Sequence, residues 1–184
     1  MNHHDMTRTM VLAALFAALT AIGAFLQIPT GTVPITLQFL FTALAGLLLG
    51  WKWGAISQLL YVGIGLLGLP VFTQGGGIGY VLQPSFGFLR GLTPAAAVIG
   101  ALTARRTGYL TVLAAVLVGD LILYAVGVPY MYLILHVYMQ SAKTFPALLA
   151  AMLVYVPGDT LKIVVVTALA PVLRRTLAKA VPNL

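Results

Sequence analysis

The chain of 184 residues is 61% hydrophobic and only 7% charged, with a mean hydropathy of +1.05. A soluble domain carries roughly a quarter of charged residues, so this composition excludes a soluble globular protein and indicates one that lipid solvates. The absence of cysteine excludes disulfides and thiol chemistry, and the net charge of +7 is interpreted as a bias of basic residues across a membrane, not as a nucleic-acid surface.

The first predicted membrane span runs from about Thr9 to Leu26 and ends at the stretch QIPTGTVP, in which two prolines and a glycine break the helix. No A-x-A-like cleavage motif ends this apolar stretch, so the N-terminus is interpreted as leading into a retained span and not as a signal peptide. His3 and His4 precede it without partner ligands nearby, which favours a polar tail over a metal site.

Four further spans are predicted in the middle of the chain. The second, Thr36–Leu49, and the third, Ala55–Leu69, are joined by the tight turn GWKWG. The fourth is Phe86–Ala104, which ends at two arginines, and the fifth is Tyr109–Val126. A crossing needs about 20 apolar residues, and fewer when the helix ends are buried or flanked by long polar side chains.

The segment Pro129–Ala151 is apolar and aromatic, but a lysine and a proline interrupt it. Aromatic residues are typical of the membrane–water interface, so this segment is predicted to lie in the interface. The last span is predicted to begin near Pro157, because proline is tolerated at a helix N-terminus, and to end before Arg174. The total is six spans, and a seventh through Tyr130–Met139 would be short.

The distribution of basic residues orients the protein. With the N-terminus in the cytoplasm, six spans leave only Lys143 outside. The other basic residues of loops and termini fall on the inner side: Arg8, Lys52, Arg105, Arg106, Arg174, Arg175 and Lys179. A seventh span would move the C-terminal cluster outside, so the positive-inside rule favours six. The sequence therefore predicts an all-α, multi-pass cell-membrane protein with a single domain, residues 1–184, and both termini cytoplasmic.

Four ionisable residues remain within or near membrane depth: Arg90, Asp120, Asp159 and Lys162. Each costs at least about 2.5–3.5 kcal/mol near a helix centre, so such residues usually face the protein interior and mark a functional path. The alternative is a set of ion pairs that locks helix to helix. Arg90 either anchors an anionic substrate with its planar guanidinium or extends to the outer interface without a ligand.

Asp159 and Lys162, in the stretch VPGDTLK, are three residues apart and are therefore neighbours on one helix face. In the first turn of the last span, Asp159 would also accept hydrogen bonds from free backbone N–H groups, so a helix cap with an ion pair is a complete structural account of the aspartate. That account does not explain Lys162 one turn deeper. A facing acceptor and donor suit a ligand that offers both N–H and C=O groups.

Further polar groups lie at a similar depth. Asp120 is followed at i+4 by Tyr124, either as a hydrogen-bonded structural pair or as a wall of the same polar cavity. Gln38 lies near the outer start of the second span. The outer loop Gly68–Gly91 carries a glycine run around Gly76; no Lys-Ser/Thr follows it, which disfavours a phosphate-binding loop and leaves a flexible lid or an inert connector.

The first span carries small residues at helical spacing: Ala13, Ala14, Ala17, Ala18 and Ala21. In lipid, small residues let helices approach closely, and tight packing drives their association. The surface that these alanines form packs either on another span of this chain or on a partner protein.

Several stretches together resemble the BioY family, the biotin-specific substrate-binding (S) components of energy-coupling factor (ECF) transporters. They follow one another over nearly the whole chain: TRTMVLAALFAALTAIGAFLQIP, PITLQ, GLLGLPVFTQGGGIGYVLQPSFGFLRG, VGDLILYAVG and VPGDTLK. The resemblance implies six transmembrane helices with the vitamin site near the outer face. Where the family pattern is nearer P-T-G-G-Y, this chain has PSFGF at residues 84–88.

The resemblance implies capture of biotin together with a transmembrane coupling subunit and two ABC-type ATPases. It assigns Asp159 and Lys162, the motif P-G-D-x-x-K, to the biotin site, with Arg90 and the neighbourhood of Gly76 as further contacts. It assigns the alanines of the first span to docking on the coupling subunit. Biotin's ureido ring has two N–H donors and one C=O acceptor, which Asp159 and Lys162 would complement, and its carboxylate would prefer Arg90.

The sequence has no Walker motif, so ATP would be used by partner subunits, and no cofactor or metal is predicted for this chain. One alternative is an S component or stand-alone facilitator for another small vitamin. The other is an intramembrane aspartyl protease built from Asp120 and Asp159. That chemistry needs two carboxylates that share a proton, which an ion pair of Asp159 with Lys162 disfavours.

Overall fold

The computed structural model describes residues 3–30, 33–106 and 108–180, and the side-chain surroundings of residues 5–30, 33–106 and 108–177. The side chains of His3, His4 and Lys179 lie outside this part, so the expectations for them stay predictions. The described chain is predominantly helical, as expected. Four of its helices are long and apolar enough to cross a membrane: Asp5–Phe25, Gln38–Leu66, Tyr109–Tyr138 and Phe145–Leu177.

Helix α1, His3–Phe25, contains most of the first predicted span and begins earlier. It ends at the predicted break, where strands β1 (Gln27–Ile28) and β2 (Ile35–Thr36) pair antiparallel. This two-stranded ribbon departs from the all-α prediction. The prolines and glycine signal a break in the helix, but nothing in the local pattern shows that the two arms of the break pair with each other.

Helix α2, Gln38–Leu66, contains both the second and the third predicted spans because it doubles back at Gly50. Gly50 has φ 77° and ψ 179°, a conformation essentially restricted to glycine. Thr42 Oγ1 donates to Gln58 Oε1 at 2.9 Å, whereas these residues would be about 24 Å apart along a straight helix. The predicted GWKWG turn is therefore confirmed, although only Gly50 leaves the helical conformation.

Helix α3, Phe86–Leu102, is a shorter apolar helix that matches the fourth predicted span. Helix α4, Tyr109–Leu133, passes the predicted end of the fifth span and continues as a π-helical turn, Ile134–Tyr138. Pro129 lies inside α4. The fifth span was expected to end at Val126, before this proline. Membrane helices tolerate proline where neighbouring groups satisfy the freed backbone carbonyl, and here the helix continues through it.

The structure divides the segment Pro129–Ala151 between two helices, while its location in the membrane interface stays a prediction. Its first part completes α4, and its last part is helix α5, Phe145–Ala151, which leads through a 3-10 turn, Met152–Tyr155, directly into α6, Val156–Ala180. Helix α6 also continues past Arg174, where the last span was predicted to end, and the Arg174 side chain bonds to backbone oxygens of the protein.

Two clusters of buried apolar residues hold the helices together. The larger joins α1, both arms of α2, α3, α4 and α6, and it includes the fully buried Tyr61 and Ile99. Close approach of helices depends on small residues, since a Cβ on Gly46 would lie 2.3 Å from the Ala96 backbone oxygen. The smaller cluster consists of Val33, Val128, Met131, Leu135, Leu148 and Met152.

The loop between α2 and α3 is fastened to the helix bundle. Phe72 is 1% exposed, and its ring fills the space that a Cβ on Gly65 would occupy. Tyr80, on the short 3-10 helix Ile78–Leu82, is also buried. The Gly77 backbone N–H donates to the Gly65 carbonyl oxygen at 2.7 Å. The loop therefore packs against the bundle, while its action as a flexible lid stays a prediction.

Candidate functional site

The acid–base pair on α6 is buried. Asp159 and Lys162 are 6% and 7% exposed, and Lys162 Nζ lies 2.5 Å from Asp159 Oδ1. Their spacing of three residues brings the two side chains together on one face of the helix, as expected. A buried charge is costly unless it is paired and hydrogen-bonded, and this pair meets the first condition within a single helix.

Two other elements complete the contacts of the pair. The Tyr124 hydroxyl on α4 donates to Asp159 Oδ2, and Lys162 Nζ donates to the Thr36 carbonyl oxygen on β2 at 3.2 Å. Asp159 lies in the first turn of α6 as predicted, but helical residues precede it, so it is not at a free helix end. Its oxygens bond to side chains instead, and the helix-cap account is replaced by a network that joins α4, α6 and the ribbon.

This network lines a cavity bordered by both apolar clusters. The cavity walls come from the ribbon, the start of α2, the α2–α3 loop, α3, α4, the 3-10 turn before α6 and α6 itself. Its apolar lining includes Phe39, Phe88, Leu89, Leu92, Leu123 and Met152. Of the predicted site residues, the cavity brings together Gln38, Tyr124, Asp159 and Lys162. Apolar walls with a few convergent polar groups are typical of small-molecule sites.

Gln38 forms a second polar corner of the cavity. Its Nε2 donates to the Tyr61 hydroxyl at 2.7 Å, and its Oε1 accepts from the Thr36 hydroxyl at 2.9 Å. Tyr61 in turn donates to the Val71 carbonyl oxygen at 3.1 Å. The amide orientation is therefore held from both sides. Thr36 also links this corner to Lys162, since its carbonyl oxygen accepts from the lysine.

Sequence reasoning missed the hydroxyl groups on the loop side of the cavity. The Tyr80 hydroxyl lies 2.8 Å from Thr73 Oγ1 and 3.2 Å from Ser85 Oγ. No periodic pattern points to these residues, because an irregular loop has none. Tyr155 also lines the cavity and was missed. Here a signal existed, since Tyr155 precedes Asp159 by four residues and so shares its helix face.

Arg90 and Gly76, expected to contact ligand, do not line this cavity. Arg90 is exposed, and its guanidinium carbon lies 5.4 Å from the centre of the Tyr130 ring, which is a cation–π distance. Its neighbour Leu89 points into the cavity, and successive helical residues are about 100° apart, so Arg90 points away. Gly76 is exposed, and a Cβ there would lie 2.0 Å from the Leu69 carbonyl oxygen, so this glycine serves the packing of the loop itself.

Asp120 lies beside the network and does not line the cavity. It interacts electrostatically with Asp159 and Lys162. Within the described residues, its Oδ1 is a buried oxygen without a hydrogen-bond partner. One interpretation of the sequence paired Asp120 with Tyr124 by a hydrogen bond. In the structure the Tyr124 hydroxyl donates to Asp159 instead.

The alanines expected to dock a partner divide between two faces of α1. Ala13 and Ala17 are 2% and 4% exposed and belong to the larger core cluster. Ala14 and Ala18 are exposed. Since adjacent helical positions lie about 100° apart, one run of alanines cannot form one surface. Packing within the chain occupies Ala13 and Ala17, whereas Ala14 and Ala18 remain exposed.

The arrangement suits a compact neutral ring with both N–H and C=O groups. The Asp159 carboxylate accepts hydrogen bonds, the Lys162 ammonium donates them, and the nearby hydroxyl and amide groups do both. Asp159 bonds to Lys162 and Tyr124 and not to a second carboxylate within the described residues. The geometry therefore gives no support to an aspartyl protease, in which two carboxylates share a proton.

Known proteins resemble the chain over most of its length. The sequence profile of the BioY family matches residues 1–179. A probable biotin transporter BioY from Lysinibacillus sphaericus is 54% identical over 141 residues, which are 76% of this chain and 72% of that protein. The biotin transporter BioY of Rhodobacter capsulatus is 39% identical over 188 aligned positions, which cover 97% of each chain. The biotin transporter BioY of Thermotoga maritima is 35% identical over 164 residues, which are 89% of this chain and 94% of that protein.

A solved structure shares the fold. It is the 2.1 Å crystal structure of the S-component for biotin from an ECF-type ABC transporter. The TM-score is 0.84 at 30% sequence identity, and the match covers 95% of each chain. The helical arrangement described above is therefore that of a substrate-binding component of a transporter.

Proposed function

The chain belongs to the BioY family, and we propose that it is the S component that captures biotin for an ECF-type transporter. The observation that carries this function is the buried Asp159–Lys162 pair in the wall of a largely apolar cavity. The family and the matched structure are transport components, so the protein is a transporter subunit and not an enzyme.

Biotin offers the groups that this cavity complements. Its ureido ring has two N–H donors, which suit the Asp159 carboxylate, and one C=O acceptor, which suits the Lys162 ammonium. Tyr124 orients Asp159 through its hydroxyl. The bicyclic ring and aliphatic chain suit apolar and aromatic walls such as those of Phe39 and Phe88.

The proposal includes six crossings of the cell membrane: α1, the two arms of α2, α3, α4, and α5 with α6. Arg174 donates to the carbonyl oxygens of Leu47 and Thr103, so the Gly50 turn, the end of α3 and the basic end of α6 lie together. The Asp159 pair lies toward the other end of α6. The positive-inside rule supports a cytoplasmic location for the basic end and for both termini, with the cavity toward the outer face.

Energised uptake requires partners, because the chain carries no Walker motif. The proposed partners are a transmembrane coupling subunit and ABC-type ATPases, which use the ATP; biotin is bound as the ligand, and no cofactor is proposed. Docking is placed on the exposed i+4 stripe of α1, which consists of Met10, Ala14, Ala18 and Ile22. The two alanines would let a partner helix approach closely in lipid.

Titration calorimetry of the purified protein against biotin, thiamine, riboflavin and folate tests the function. We expect one-site binding of biotin and none of the other vitamins. A folded protein, shown by helical circular dichroism, that does not bind biotin would overturn the proposal. Binding of another vitamin in its place would make the protein an S component or facilitator for that vitamin.

A matched pair of α1 variants tests the docking surface. Ala14→Leu adds bulk to the exposed stripe, so we expect normal biotin binding but loss of co-purification with the coupling subunit. Ala13→Leu adds the same bulk to the core and should cost about 1–3 kcal/mol of stability through overpacking. Normal assembly of the Ala14→Leu variant would contradict the placement of the partner on this face.

A further inference from the structure

The inner cavity is too small to hold a whole vitamin. Its volume is about 70 Å³, whereas pockets that enclose drug-sized ligands have roughly 300 Å³ or more. A ligand whose ring lies against Asp159 and Lys162 must therefore extend into neighbouring space. Such space exists in an outer groove of about 290 Å³ lined by Thr30, Met131, Lys143, Ala147, Leu148 and Ala151, among others.

Two residues lie between the groove and the inner cavity. Met152 and Tyr155 line both spaces. The Tyr155 hydroxyl donates to the Val33 carbonyl oxygen and lies 2.8 Å from Thr30 Oγ1, which positions the ring between the two spaces. Met152 is an unbranched side chain with three rotatable bonds, so it can change rotamer at low cost. A chain of methylene groups can therefore pass from the cavity to the groove where Met152 moves aside.

The charges of the two spaces differ. In the inner cavity, Asp159 and Lys162 neutralise each other, which suits a neutral ring. In the groove, Lys143 is the only charged residue of the described lining. The chain has just three acidic residues, Asp5, Asp120 and Asp159, and none of them lines the groove. Lys143 thus lacks a protein carboxylate as its counter-ion there, which suits an anionic group of a ligand.

We propose that the groove is the subsite for the carboxylate-bearing tail of the ligand, with Lys143 as the partner of the carboxylate. This assignment rests on the proposed function and adds the direction in which the ligand lies. The neutral ring occupies the inner cavity, the aliphatic chain passes Met152 and Tyr155, and the small side chains of Ala147 and Ala151 leave room for it. Arg90 takes no part, because it lies over the Tyr130 ring outside both spaces.

A comparison of biotin with biotin methyl ester tests the charge partner. Lys143→Ala should weaken biotin binding about two- to fivefold, as expected for an exposed pair of charges in a groove, and leave the ester unchanged. Arg90→Ala is the matched control and should leave both affinities unchanged. Equal loss for acid and ester in Lys143→Ala, or no loss for either, would overturn the assignment. If Arg90→Ala weakened the binding of biotin but not of the ester, Arg90 and not Lys143 would be the partner of the carboxylate.

A second variant tests the groove without changing its charge. Ala147→Phe fills the space with an aromatic ring, so biotin should bind at least about tenfold more weakly. An analogue that keeps the ureido ring but lacks the valerate chain should bind this variant as it binds the parent protein. Equal loss for both ligands would overturn the proposal. If the parent protein fails to bind biotin at all, the proposed function falls; if it binds biotin and the two variants show no selectivity, only the groove assignment falls.

Discussion

Helix α6 carries two cations, Lys162 and Arg174, whose surroundings differ. The guanidinium of Arg174 donates to the Leu47 carbonyl oxygen at 2.8 and 3.2 Å and to the Thr103 carbonyl oxygen at 3.3 Å. These carbonyls belong to the last turns of two helical segments, where backbone acceptors lack helical partners and the helix dipole favours a cation. Arg174 is therefore a structural cap for two neighbouring helices.

The N–H donors of Lys162 have fewer protein partners among the described residues. An ammonium group has three N–H donors, and the contacts with Asp159 and with the Thr36 carbonyl oxygen account for two of them. Among the described residues the third has no partner, so it is available to a ligand in the cavity that Lys162 lines. One helix thus places its basic residues in two kinds of surroundings: Arg174 where backbone carbonyls converge, and Lys162 beside the cavity that is the proposed binding site.

Packing differs between the two ends of α6. Near Arg174, a Cβ on Gly100 would lie 2.3 Å from the Trp51 backbone nitrogen, so the helices are in direct backbone contact. Near Lys162, the ribbon and the α2–α3 loop bring polar side chains between two separate apolar clusters. The cavity therefore lies where packing near Lys162 is incomplete, and tight packing near Arg174 supports it.

The largest expected effect is that of Asp159→Asn on biotin affinity. The substitution removes the charged acceptor and leaves the buried Lys162 without its counter-ion, so affinity should fall at least about 100-fold. Titration calorimetry measures this. The double variant Asp159→Leu/Lys162→Met removes both charges and should remain folded without binding biotin. Unchanged affinity in Asp159→Asn would remove the pair from the binding site.

Arg174→Met should affect stability and not binding. Loss of hydrogen bonds from a charged group costs about 1.5–3 kcal/mol of unfolding free energy, which thermal unfolding in detergent would record as a lower Tm. Biotin affinity at a temperature where the protein is folded should remain that of the parent. Arg175→Met, at an exposed neighbouring position, is the control and should change neither. A loss of affinity in Arg174→Met would show that the two ends are not separate in function.

Tyr124→Phe should have the smallest effect of the three. It removes one hydrogen bond to Asp159 while the ion pair remains, so affinity should fall about three- to tenfold. Tyr130→Phe is a matched control, because the Tyr130 hydroxyl donates to the Val81 carbonyl oxygen away from the cavity. Equal behaviour of the two variants would indicate that Tyr124 does not orient Asp159 for binding.

Local patterns predicted most of the helices and four residues of the cavity lining: Gln38, Tyr124, Asp159 and Lys162. Apolar runs and the turns at QIPTGTVP and GWKWG predicted α1, the hairpin of α2 and α3. The helix ends near Val126 and Arg174 were misjudged, because the tolerance of a helix for proline or arginine depends on neighbours that are distant in sequence. The division of the alanine run into buried Ala13 and Ala17 and exposed Ala14 and Ala18 required knowledge of which face of α1 is covered.

The amino-acid sequence alone was enough to establish a membrane-embedded helical protein with a rare acid–base pair, since hydropathy, helix breaks and the spacing of Asp159 and Lys162 are local properties. The contacts of that pair with Tyr124 and Thr36, the hydroxyls of the α2–α3 loop and the outward direction of Arg90 came from the folded chain. These features join residues far apart in sequence, and helix rotation and loop return are set by packing across the whole bundle.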